Sequence, residues 1–96
     1  MVTISLHYWA GAKAAAGLAM ERFEANSVAE ALRRARDQRS DPAFDSVLSV
    51  SSVLIDGLVA TRADLERPTS EPLDVEILPP FAGGAGGRLR PTLPTG

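Results

Sequence analysis

The chain contains no cysteine. That excludes a disulfide framework, a thiolate metal site and a cysteine nucleophile. Only one histidine, His7, is present. Without further imidazole or thiolate donors, a zinc-type site has too few ligands. His7 reads as a surface or packed side chain. No apolar run approaches the roughly 18 residues of a membrane span. Met1 to Leu6 lacks the basic region and apolar stretch of a signal peptide. The expectation is a soluble, cytoplasmic protein with no membrane partner. Basic excess is lacking too. Residues 1–84 hold all 12 acidic and 8 of the 10 basic residues, a net −4. An acidic body argues against nucleic acid, which calls for basic stripes. It suits a partner with a basic docking surface.

Hydrophobic residues make up 45% of the 96 positions, enough for one domain with its own core. Val2, Ile4, Leu6 and Tyr8 alternate with Thr3, Ser5, His7 and Trp9. Period two predicts a strand with one face on the core. Gly11 to Gly17 is small and Ala-rich and reads as a connection holding a helical turn. The alternation from Leu18 to Ala25 predicts a second strand paired with the first. Ser27-Val28-Ala29-Glu30 is a capping-box pattern, with Ser27 and Glu30 each capping the other's backbone N–H. The helix it opens sets Val28, Ala31, Leu32 and Ala35 on one stripe. Arg33, Arg34, Arg36 and Arg39 are expected on its solvated side. Asp41-Pro42 is expected to end that element.

Phe44, Val47 and Leu48 have the spacing of a short helix closing under the sheet. Ser52 to Asp56 predicts a strand, and Asp56-Gly57 a turn. Ala63 to Glu66 suggests another helical turn. Leu73, Val75 and Ile77 alternate as a last strand, which Pro79 and Pro80 stop. A hairpin, a crossover helix and two further strands predict an α+β domain over residues 1–80. Its mixed sheet carries one main helix packed on one face, the β-grasp layout. Beyond it, residues 81–84 form a Gly-Gly tail. Residues 85–96 carry glycine and proline with no periodic face, the composition of a mobile extension.

The chemistry-bearing stretch is Leu78-Pro79-Pro80-Phe81-Ala82-Gly83-Gly84, directly after the last predicted strand. Without Cβ atoms, Gly83 and Gly84 let an extended backbone enter a narrow channel in another protein. A terminal carboxylate delivered that way can be adenylated and then take up sulfur. A run of glycines is also what a plain linker contains. The position after a proline-capped final strand favours the functional reading. Trp9 reads equally as a docking aromatic or as a cap on the sheet edge. Leu93-Pro94-Thr95-Gly96 lacks the extra residue of a sortase signal. No Ser/His/Asp set or paired-acid site can be assembled, so the domain itself is not expected to be a catalyst.

Residues 1–84 resemble the MoaD/ThiS family of ubiquitin-like sulfur carriers. The resemblance rests on L-P-P-F-A-G-G, supported by S-V-A-E-A-L and V-L-I-D-G. Pro-Pro-x-Ala-Gly-Gly looks more like the small subunit of molybdopterin synthase than the thiamine carrier. The resemblance implies a ubiquitin-like β-grasp fold and no bound cofactor. It implies ATP use by a partner adenylyltransferase of the ubiquitin-activating type. Gly84 would carry the thiocarboxylate, Gly83 would fill the channel beside it, and Pro79, Pro80, Phe81 and Ala82 would lead the tail into the partner. Trp9 and Phe81 would anchor the outer sheet face on a larger sulfur-acceptor enzyme, the large subunit of molybdopterin synthase being the first choice. The family ends at Gly-Gly, whereas this chain continues for 12 residues after Gly84. A protease would have to remove them, and Gly86-Gly87 offers an alternative cut. Thiamine, cysteine or another metabolite as sulfur destination, a protein modifier, and a non-covalent ubiquitin-like binding module stay open.

Overall fold

The computed structural model describes residues 1–80. β1 (Val2–Tyr8) leads into α1 (Ala10–Ala16) and β2 (Met20–Ala25). The main helix α2 (Val28–Arg39) and α3 (Pro42–Val50) follow. The hairpin β3 (Ser52–Ile55) and β4 (Leu58–Val59), the short α4 (Arg62–Glu66) and β5 (Leu73–Leu78) complete the chain order. One mixed sheet has the strand order β2-β1-β5-β3-β4. β1 runs antiparallel to β2 and parallel to β5. β3 runs antiparallel to both β4 and β5. The predicted α+β class, the paired first strands and the helix on one face all hold.

Alternation decides which side chains go inward. Ile4, Leu6 and Tyr8 of β1 and Val75 and Ile77 of β5 are buried against Val28, Ala31, Leu32 and Ala35 of α2. Phe44 of α3 closes the core and is fully buried. Each large side chain buried this way contributes about 1.5–3 kcal/mol. Most of that is offset by chain entropy.

Gly11 to Gly17 is more than a connection with a turn. Five alanines of α1 favour helix, and Ala12 is fully buried. Seven residues are too few to be helical alone, so packing against the core holds the segment in place. The predicted capping box also differs in one partner. The Ser27 hydroxyl accepts from the Glu30 N–H at 3.1 Å, as expected. The Glu30 carboxylate, however, accepts from the N–H of Asn26 at 2.7 Å, one residue earlier than the pattern implies. A full capping box does form at α4, between Thr61 and Asp64. Ser27→Ala is expected to cost about 1 kcal/mol in urea unfolding.

α2 stops at Arg39, with Ser40 in the left-handed region (φ 50°) and its N–H on the Arg36 carbonyl. Asp41 then caps the next helix by accepting from the Ala43 N–H at 3.0 Å. Pro42 occupies the first turn of α3, where its missing N–H costs nothing. It therefore opens α3 as well as separating it from α2. Asp56 and Gly57 both have positive φ, 54° and 80°, as the tight β3–β4 turn requires. β4 is the short partner that this turn creates.

Arg39 corrects the expectation of a wholly solvated arginine face. Its guanidinium lies 4.5 Å from the Phe44 ring centroid and 5.7 Å from that of Tyr8. It pairs with Glu21 at 2.9 Å and donates to the carbonyls of Ala35 and Ala16. The Tyr8 hydroxyl donates to the same Glu21 carboxylate at 2.9 Å, and Gln38 donates to its other oxygen at 2.7 Å. Burial, and then the Glu21 carboxylate, push the Tyr8 phenol far above its ordinary range.

Two capping carboxylates link stability to pH. The Asn26 N–H holds Glu30 below its ordinary 4.5, and the Thr61 N–H holds Asp64 below 3.8. A carboxylate with a depressed folded-state pKa stabilises above its unfolded value and loses that contribution as pH falls through the folded one. Stability is therefore expected to decline as pH drops below 4.5 and through both groups. Urea midpoints across that range check it. Glu30→Gln together with Asp64→Asn should flatten the decline.

Candidate functional site

β5 delivers the chain to the site. Its last buried residue is Ile77, and Leu78 follows on the opposite face. Pro79 is half-buried and Pro80 exposed. Neither proline can donate to a further ladder bond, so the strand ends there. The predicted site residues Phe81, Ala82, Gly83 and Gly84, the alternative Gly87, and the 85–96 extension lie outside the described residues.

Trp9 stands at this same end of the sheet. The parallel register pairs Tyr8 with Ile77, and Trp9 comes one residue later. Its N–H donates to the Ile77 carbonyl at 3.2 Å, and its own carbonyl accepts from Ala12 at 2.9 Å. The backbone is thus tied to β5 and to α1, while the side chain is 51% exposed. Trp9 precedes α1 at its N-cap position but makes no side-chain capping bond.

The register also defines the outer face of the sheet. Met20 opposes His7, His7 opposes Glu76, Glu76 opposes Leu54, and Leu54 opposes Val59. This row crosses all five strands on the side away from α2. Leu78 and Ser52 form the next pair toward Trp9 and Pro79. Val59 is 68% exposed. The face thus mixes Met20, Leu54, Leu78 and Val59 with a few polar groups. His7 contacts Asp74 at 3.0 Å and stays on this face. Among the described residues no group of three or more potential ligands could hold a metal. Met20, Leu54 and Val59 were not singled out from the sequence. Ser52 to Asp56 reads as a strand, but only cross-strand register shows which residues share a face with Trp9.

Two hydroxyls meet carboxylates across the first two strands, Thr3 donating to Glu24 and Tyr8 to Glu21. Among the described residues, no helix is long and apolar enough to cross a membrane.

No protein-family model matches the sequence, and no curated protein does. Solved structures do match. The small archaeal modifier protein 1 from Methanosarcina acetivorans superposes with a TM-score of 0.71 at 22% identity, covering 88% of this chain and 98% of that one. The small archaeal modifier protein 1 of H. volcanii gives 0.66 at 20%, covering 84% and 100%. A chain of the complex of subunits 1 and 2 of molybdopterin-converting factor from Helicobacter pylori gives 0.60 at 17%, covering 85% and 99%. The chain therefore has the ubiquitin-like β-grasp fold of the MoaD/ThiS type.

Proposed function

We propose that this chain is a sulfur carrier whose working group is the carboxyl end of Gly84. The observation that carries the reading is the placement of the last strand. β5 hands the chain through Pro79 and Pro80 to Phe81-Ala82-Gly83-Gly84, at the sheet end where Trp9 is exposed. Hydrolysis of the Gly84–Ala85 bond by a protease frees the carboxylate and removes residues 85–96. A partner adenylyltransferase then joins that carboxylate to the α-phosphorus of ATP, releasing pyrophosphate. A sulfide equivalent held by the partner displaces AMP and leaves a thiocarboxylate. The chain binds no cofactor of its own. Molybdopterin synthesis is the favoured destination, by likeness to the converting-factor complex and by the Pro-Pro-x-Ala-Gly-Gly pattern. The direct test is pyrophosphate exchange by an adenylyltransferase of the same cells, using protein pre-trimmed to Gly84. Exchange with trimmed but not full-length protein is expected. Exchange with neither form counts against the carrier reading.

Docking is assigned to the outer sheet face, with Trp9 as its anchor. Trp9→Glu is expected to weaken binding to the large acceptor subunit about ten-fold or more. Its melting temperature should barely move, since the ring is half exposed. Unchanged affinity by calorimetry would place docking elsewhere.

A second reading is a protein modifier, favoured by the likeness to two small archaeal modifier proteins. It shares the adenylation step and differs only in the acceptor, a lysine amine that displaces AMP. Proteomic recovery of lysines bearing a Gly-Gly remnant from this chain would distinguish it.

A further inference from the structure

A groove of about 300 Å³ lies between α2 and α4, on the helical side of the domain. Arg33 and Arg36 of α2 and Arg62 of α4 line it, together with Leu32, Leu65 and Glu66. The other basic groups near these helices are committed. Arg34 pairs with Glu30, Arg39 with Glu21 and Arg67 with Asp64. Among the described residues, no carboxylate lies within ion-pair distance of Arg33, Arg36 or Arg62. Even Glu66, in the same groove, forms no such pair. Three guanidinium groups with no carboxylate at contact distance thus line one surface of a body whose net charge is −4 over residues 1–84, Arg33 acting on Glu30 only at longer range. Like charges brought together without partners repel one another and lower stability slightly, so folding does not account for them.

We infer that this groove docks an acidic, leucine-containing segment of a partner protein. The guanidiniums match carboxylates in paired hydrogen bonds, which lysine could not do in the same geometry. Leu32 is buried and Leu65 partly buried, and both line the groove beside the arginines. A free inorganic anion has no use for those two apolar side chains, whereas a peptide seats a side chain on them. The occupant is therefore a peptide rather than a phosphate. This face is separate from the outer sheet face and from the end where β5 releases the tail. It does not depend on the sulfur-carrier reading, and a partner held here leaves Trp9 exposed for a second protein.

The test is an NMR titration of the full-length protein with a synthetic peptide of glutamates interspersed with leucines, at low salt. Amide shifts are expected at Arg33, Arg36, Arg62 and Leu65, with affinity falling as salt is added. Arg33→Glu combined with Arg62→Glu should weaken binding at least about ten-fold. Both side chains are exposed and unpaired, so circular dichroism should show the variant folded. If it is not folded, Arg62→Gln alone should still weaken binding measurably. Unchanged affinity in a folded variant would overturn the inference, as would shifts confined to the Trp9 and Leu54 face. Tripolyphosphate or a single-stranded oligonucleotide binding as tightly as the peptide would also overturn it. Either would show attraction by charge alone.

Discussion

Protein pre-trimmed to Gly84 and carrying Gly84→Ala is expected to lose about a hundred-fold in the rate of thiocarboxylate formation. The magnitude follows from positioning. On the proposed reading, the carboxylate has to reach the α-phosphorus of ATP inside an adenylating partner, along a path with room for backbone only. A Cβ at the last residue obstructs that path and displaces the reacting carbon. Displacement by about an ångström suffices for a loss of this size. The domain should be unaffected, because the core described within residues 1–80 forms without the substituted position. A thermal melt matching the unsubstituted protein, beside a failed sulfur-loading assay read by mass, would be the expected pair of results. Normal loading by Gly84→Ala would mean that the terminal glycine is not what the partner reads.

The second large effect is structural. Arg39→Ala is expected to destabilise the domain by roughly 3–5 kcal/mol in urea unfolding. The ion pair with Glu21 is mostly enclosed, at 12% and 14% side-chain exposure. Removing the guanidinium strips Glu21 of its counter-charge while leaving it enclosed. It also ends the packing of Arg39 on Phe44 and Tyr8 and two bonds to helix-end carbonyls. Tyr8 and Gln38 still donate to Glu21, which argues for the lower part of the range. For a domain with total stability of about 5–15 kcal/mol, this is a large fraction. Glu21→Gln with Arg39→Met, replacing the pair together, should recover much of the loss. A double variant as unstable as Arg39→Ala would assign the effect to packing rather than to the unpaired charge.

Arg39 also shows where sequence reading stops. Period two in Val2 to Tyr8 and in Leu73 to Leu78 placed two strands correctly, because each has one face on the core. The stripe of Val28, Ala31, Leu32 and Ala35 placed α2 for the same reason. Arg39 carries no local sign of being enclosed. Its position follows from Tyr8, which is distant along the chain, and from Phe44 of the next helix, which meets it only after α2 and α3 pack. α1 was partly legible, since alanine favours helix but gives no apolar stripe to see. The outer face was legible at Trp9 alone. Met20, Leu54, Leu78 and Val59 join it through strand register, which pairs residues far apart in sequence. The groove between α2 and α4 depends on tertiary packing in the same way. Arg33 and Arg36 resemble an ordinary solvated helix until Arg62 is brought beside them.

The terminal motif was legible in full as a pattern, and the described fold supplies the frame it hangs from. The chemistry of Gly84 rests on the motif and on the strand that precedes it. Intact-mass analysis of the protein recovered from its own cells tests that most directly. The account predicts a species ending at Gly84 with one carboxyl oxygen replaced by sulfur. Recovery only of protein still carrying residues 85–96, under conditions where the sulfur pathway is running, would contradict it.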